Sequence, residues 1–292
     1  MWKLGGLTGK ELLGRTWSQF WKDRVPNQSA MLSFYFLLSI FPLLLFLIAL
    51  LGVFLQSGPA LQNKLHQYLA TVAPSSASSL IDTTLGEISQ GSGPVKLSVA
   101  LLFTWWSASQ GMFAIVEGLN IAYGVREARP WWKKYLVASA LTIASLVLFA
   151  GALLLLIYGG VLSAAVAKHF GHGAVIAGIW QTLTWLLLLA FVLIAFNILY
   201  VYAPNVKHQQ WHWLMPGTLV GVSTWLLGSY GFKVYLNFFN SYTVTYGSLG
   251  AVIILMLWFY LSGIAILLGG EVNSEIEKSA GQTEQHRPEQ AE

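Results

Sequence analysis

Six apolar stretches, at 30–55, 97–119, 135–167, 174–203, 213–236 and 247–272, divide the chain, and the polar stretches between them hold nearly all its charge. Each is long enough to cross hydrocarbon, which takes roughly 20 apolar residues as a helix. Inside them only Glu117, Lys233 and Glu271 carry formal charge, each near an end. The pattern predicts an all-α, polytopic membrane protein whose six transmembrane helices form a bundle over residues 30–278.

Segments outside the six runs have patterns of their own. Within the N-terminal 1–29, residues 10–24 are amphipathic: Leu13, Trp17, Phe20 and Trp21 recur at helical spacing against Lys10, Arg15, Lys22 and Arg24. This predicts a helix lying in the inner interface, a plain flanking extension being the alternative. The connection 56–96 is polar, yet Leu61, Leu65, Leu69 and Val72, then Ile81, Leu85 and Ile88, keep helical spacing around a break at Pro74 and 75–79. It predicts two short amphipathic helices capping the outer face, as a lid or as packing. Residues 22–24 lead into an apolar run too long for a signal-peptide core, so none is expected. Pro42 predicts a kink in the first run. Gly217 and Gly221, like Gly151, Gly159, Gly160, Ser163 and Ala164 of the third run, predict close helix approach. The Gln/Glu-rich tail 279–292 is expected to be disordered.

Composition agrees with a membrane solvent. The chain is 55% hydrophobic and 10% charged over 292 residues, where a soluble domain carries about 25% charged residues. Mean hydropathy is +0.61. With no cysteine, disulfides, thiolate metal sites and cysteine nucleophiles are excluded. The net charge of +4 invites a nucleic-acid reading, but its placement explains it otherwise. Twelve of the 16 basic residues fall on one side of the predicted topology; only Lys64, Lys96, Lys168 and Lys233 fall on the other. The positive-inside rule then puts both termini in the cytoplasm, with anionic lipid headgroups as natural partners. Trp2, Trp17, Trp21, Trp131, Trp132, Trp211 and Trp213 flank the same side, and Tyr230, Tyr235, Phe238, Phe239, Tyr242 and Tyr246 form an outer belt.

Candidate chemistry is sparse. Glu117, with Asn120 after it, and Glu271, with Asn273 after it, fall at matching depth on the second and sixth runs. Asn197 lies low in the fourth, and Arg126 follows the second on the same side. Intramembrane carboxylates usually face the bundle interior or water. One reading is therefore a polar, cytoplasm-facing substrate cavity lined by Glu117, Asn120, Asn197, Glu271 and Asn273, with Arg126 as counter-charge. The other is two interfacial carboxylates and a capping asparagine. The stretch 237–250, NFFNSYTVTYGSLG, could bring Tyr246 and Ser248 to an outer mouth, or be a re-entrant turn that starts the sixth helix. Lys233 is expected to snorkel. His169 and His172 are predicted outside and His208 and His212 inside, without a nearby carboxylate, so no metal site is expected. A nuclease would need clustered oxygen or imidazole ligands, and no phosphate-binding glycine loop is present. No cofactor and no nucleic-acid partner follow from these residues.

The chain resembles the YihY/BrkB family of bacterial inner-membrane proteins over roughly residues 17–277. The likeness is carried by KDRVPNQSAMLSFYFLLSIFPLLLFLIALLG at 22–52, WSASQGMFAIVEGLNIAYGVRE at 106–127, YAPNVK at 202–207 and SYTVTYGSLGAVIILMLWFYLSGIAILLGGEVNSEIE at 241–277. Thr243 and Val244 stand where the family often has Asn-Ala, so no role for that amide carries over. The resemblance implies an inner-membrane protein of uncertain biochemistry, once labelled ribonuclease BN, a label now considered mistaken. Some members have been linked to envelope lipid or lipopolysaccharide transport and to serum resistance. The reading that follows is a non-enzymatic transporter or flippase-like protein for an amphiphilic substrate such as a lipid. A non-transporting scaffold or regulator of envelope assembly is the alternative, and a nuclease is a distant third.

Overall fold

Helix is the only regular structure among the described residues, as apolar runs with no water to satisfy their backbone require. The computed structural model describes residues 5–55, 102, 104–170, 173–206, 215–238 and 248–285. In chain order the helices are α1 (Gly9–Lys22), α2 (Val25–Leu55), α3 (Gln110–Ala122), α4 (Trp131–Phe170), α5 (Gly173–Tyr202), α6 (Pro216–Phe238) and α7 (Ser248–Gln285). The expected outer cap at 56–96 lies outside the described residues, as do Trp211, Trp213 and 239–247.

The helices overlap the apolar runs but often extend past them, because hydropathy marks contact with hydrocarbon while helical hydrogen bonding continues into polar sequence. α3 is the shortest piece. Residues 104–108 are helical ahead of it, and a turn at Ser109 separates the two, although the Ser109 N–H still reaches Trp105 O at 3.0 Å. α2 continues through Pro42 as one helix. The tail expectation needs correction, since helix α7 persists to Gln285 rather than giving way at 279. Its end has a partner: Ser279 Oγ donates to Gly5 O at 2.8 Å. Gly5, at φ +59, sits so close to Ile276 O that a Cβ could not be placed there.

Among the described residues three helical segments are long and apolar enough to span a membrane: Trp131–Leu156, Ile179–Tyr202 and Gly250–Ala280. They differ in burial, at 11%, 17% and 33%, so the last is the most enclosed and the first presents most of its surface outward. Leu136, Ile143, Val147, Phe149 and Leu154 on α4 are exposed apolar side chains of the kind lipid would cover.

Contacts divide the chain into two units, Met1–Phe34 with Met112–Glu292, and Tyr35–Gly111. In the second, Gly111 lies against Phe36 and Ser39, where an added Cβ would come within 3.2 Å of both. In the first, α7 packs on α6, α1 and α5, while α4 packs on α5. α1 starts with a capping box: Thr8 Oγ1 accepts from Glu11 N–H, and Glu11 Oε2 accepts from Thr8 N–H at 2.9 Å. Those bonds from Thr8 hold the Glu11 carboxyl below its ordinary pKa. Thr16 and Phe20 are buried, whereas Leu13, Trp17 and Trp21 form an exposed stripe at helical spacing. Asp23 ends α1, and Arg24 takes a positive φ of 51° to turn the chain into α2. Arg24 has no glycine's freedom, so this turn is strained.

Helices α6 and α7 approach closely. Gly217 and Gly221 of α6 face Gly269 O and Ala265 O of α7, and Gly269 faces Gly217 O. Tyr200 of α5, fully buried, reaches the same place and donates its hydroxyl to Ile266 O at 2.9 Å. An added methyl at Gly217 or Gly269 meets backbone oxygen, which cannot swing aside. Gly217→Ala and Gly269→Ala should each cost ~1–3 kcal/mol, the usual range for overpacking. Gly228→Ala on the same α6 helix is the control, because nothing lies within 4 Å of its added Cβ. Thermal unfolding in detergent should show a lower Tm for the first two variants and not for the third; equal Tm values would refute the close approach.

Candidate functional site

Helix α3 ends in a Schellman turn: Gly124, at φ +67, donates to Ile121 O at 2.9 Å, and Val125 N–H donates to Asn120 O at 2.9 Å. The turn leaves the Asn120 side chain between two later segments. Its Nδ2 donates to Glu127 Oε2 at 2.8 Å and its Oδ1 accepts from Asn205 N–H at 2.7 Å. Asn205 Nδ2 in turn donates to Arg126 O at 3.2 Å. Glu127 Oε1 accepts from the Arg129 N–H at 3.0 Å, and the Arg129 guanidinium donates to Ala203 O at 3.0 Å and Pro204 O at 2.7 Å. Arg129 therefore satisfies two carbonyls of the chain just past the end of α5.

A second knot holds the start of α6. Proline at its first position has no N–H to satisfy. The neighbouring donors are met from other helices. Asn197 Oδ1 of α5 accepts from Met215 N–H at 3.3 Å and from Thr218 Oγ1 at 3.1 Å, while Asn273 Oδ1 of α7 accepts from Gly217 N–H at 2.7 Å. Both asparagines are buried, where polar groups need protein partners.

The two carboxylates expected to share a cavity turn to different partners. Glu117 Oε1 pairs with Lys134 Nζ of α4 at 2.7 Å, and that ammonium lies 3.8 Å over the Phe113 ring. Glu271 is fully buried, and neither of its oxygens receives a hydrogen bond. The carboxyl beside it belongs to Asp23, at the α1–α2 turn, with Glu275 and Lys278 also acting on it. Asn273 Nδ2 and Ser274 Oγ are buried without a hydrogen-bond partner as well.

In these contacts Glu117, Asn120, Asn197 and Glu271 each meet different groups. Lys134, not Arg126, stands opposite Glu117; Arg126 has an exposed side chain and contributes its carbonyl. Asn120, Asn197 and Asn273 each accept from a backbone N–H of another segment, Asn120 past the end of α5 and the other two at the start of α6. Tyr246 lies outside the described residues, and so does the side chain of Ser248, the first residue of α7. Sequence reasoning missed Asp23, Glu127, Arg129, Lys134 and Asn205. Four of these follow helix ends, where orphan carbonyls and N–H groups need partners, and that was the available signal. No group of three or more His, Asp or Glu side chains is placed to hold a metal ion among the described residues.

The candidate site is thus a polar end of the bundle, knotted by amides and an arginine, with one acidic pair left unsatisfied inside it. Asn120→Ala removes a donor to Glu127 and the acceptor of the Asn205 N–H together. The expected loss is ~1–3 kcal/mol, as for a buried polar group left unpaired. It should appear as a lower Tm and as faster protease cleavage within 123–130 and 203–206. Unchanged cleavage there would show that the amide does not tie the segments.

Known proteins resemble this chain along most of its length. The family model described as "Virulence factor BrkB" matches residues 16–292. A Bacillus subtilis protein named "Putative ribonuclease-like protein YfkH" is 37% identical over 252 residues, covering 86% of this chain and 90% of its own. A "UPF0761 membrane protein" of Aeromonas salmonicida is 26% identical, over 88% of this chain and 86% of its own. Another of that name, VP0125 of Vibrio parahaemolyticus, is 30% identical over 87% and 78% respectively. No solved structure matches.

Proposed function

The chain belongs to the BrkB family of membrane proteins, and from that premise we propose that it moves an amphiphilic envelope component, such as a lipid, across the bacterial inner membrane. The carrying observation is the polar content of α7. Ser262, Glu271, Asn273, Ser274, Glu275 and Ser279 are buried inside a segment apolar enough to span. Buried ionisable groups in such helices are costly and usually mark a pathway for a polar group. Glu271 is the residue this reading depends on, since its carboxyl has no hydrogen-bond partner. The ribonuclease-like wording belongs to the Bacillus relative; the reading here is non-enzymatic, with membrane lipids as partners and no nucleic acid. The exposed stripe Leu13, Trp17 and Trp21 on α1, flanked by Lys10, Arg15 and Lys22, suits a helix lying among anionic headgroups.

A scaffold of envelope assembly is the second reading. What favours it is that Asn120, Asn197 and Asn273 each fasten backbone of another segment, as a rigid frame would need. The two separate in reconstituted vesicles that carry a labelled lipid in one leaflet. Under the transport reading the protein equilibrates the label faster than protein-free vesicles do, and Glu271→Gln slows it several-fold while leaving insertion intact. Folded protein that moves no label supports the scaffold.

Both termini are proposed to face the cytoplasm, on the strength of the basic-residue split. The native chain has no cysteine, so single cysteines report cleanly. In intact cells Ser18→Cys and Ala280→Cys, at exposed positions, should resist an impermeant thiol reagent, while Ser76→Cys should react. The opposite labelling pattern would invert the topology.

A further inference from the structure

Gly263, Leu267, Glu271, Ser274 and Lys278 follow one another along a single face of α7. The upper part of that face meets apolar or small neighbours: Gly263 lies on Ser29 of α2, and Leu267 on Gly118 of α3. One turn further on, the face meets the α1–α2 turn, and there two carboxyls adjoin, Glu271 and Asp23. Both Glu271 oxygens and Asp23 Oδ2 are buried with no donor reaching them. Lys278 and Glu275 are the other charged groups acting on Glu271. Lys278 Nζ already lies 3.3 Å from Glu275 Oε1. Just past the end of α3, Tyr123 reaches Gly270 beside the pair, its ring 3.9 Å from where a Cβ would stand.

A buried carboxylate that accepts no hydrogen bond is costly, and two carboxylates sharing a site cannot both ionise cheaply. Each is an acceptor, so neither satisfies the other until one carries a hydrogen. We infer that Glu271 is a proton-binding site, its buried carboxyl holding one proton and donating it to the Asp23 carboxyl, which joins the α1–α2 turn to α7. The proton comes from water and returns to it, with no other bond made or broken. When it leaves, two like charges face one another with both Glu271 oxygens and Asp23 Oδ2 out of reach of water, although the Asp23 residue is half-buried. The residue next to the site, Arg24, is held at φ 51°, a conformation that persists only where surrounding contacts impose it. Losing the proton therefore loosens the turn that sends α1 back onto α7. The site is independent of whether the chain moves a lipid.

Infrared difference spectroscopy of the full chain in lipid nanodiscs, titrated from acidic to alkaline pH, tests this. The expected signal is the carbonyl band of a protonated carboxyl that shifts in heavy water and disappears as pH rises. Separate isotope labelling of aspartate and glutamate carboxyls assigns it in the wild-type protein, so the result does not depend on a variant folding. Glu271→Gln and Asp23→Asn should each abolish the band. Hydrogen exchange at the Arg24 amide should quicken with rising pH in the wild type and become pH-insensitive beyond the intrinsic rate in Glu271→Gln. Absence of the band, its assignment to other carboxyls, or protection of the turn by sodium without any band would overturn the proposal.

Discussion

The start of α6 sets the terms for its neighbours. A helix that begins inside a bundle has N–H groups with no intrahelical partner, and lipid offers none. Here they are answered from two sides, by Asn197 of α5 and Asn273 of α7. Those amides reach only if the three helices stand close, which is why α6 presents Gly217 and Gly221 toward α7, and α7 presents Gly269 back. The Tyr200 hydroxyl bond to Ile266 O uses the same narrow gap. Any side chain in it would part the backbones and leave Met215 and Gly217 without acceptors.

Much of the fold was legible because hydrocarbon imposes a long, uninterrupted apolar code. α4 and α5 agree with their runs to within a few residues, since little else competes with hydropathy there. The small-residue step at Gly217 and Gly221 was equally readable as a close approach. Helix ends were not. α7 outlasts its apolar run because its last turns are held by Gly5, and no local pattern reveals a partner at the other end of the sequence.

The site was legible in its residues and illegible in its pairings. Glu117 and Glu271 stood out as charges within apolar runs, and equal depth suggested a shared cavity. Depth does not fix azimuth. Glu117 meets Lys134, a residue that sequence assigns to the next helix and that topology brings alongside. Glu271 meets Asp23, which in sequence looks like an ordinary helix-ending acid. Arg129 and Asn205 likewise look like loop residues until the ends of α3 and α5 are seen side by side.

The bond from Ser279 to Gly5 closes a loop of nearly the whole chain, across a separation of 274 positions. During synthesis the N-terminal segment emerges first, yet its docking surface on α7 is made last. Until then α1 must wait undocked, with Thr16 and Phe20 uncovered beside the already exposed Leu13, Trp17 and Trp21. A nascent helix of that kind would rest on the bilayer surface while the remaining segments are threaded. The same aromatic stripe would then act as a temporary mooring during biogenesis, and α1 would be the clasp that closes only once α7 has been made.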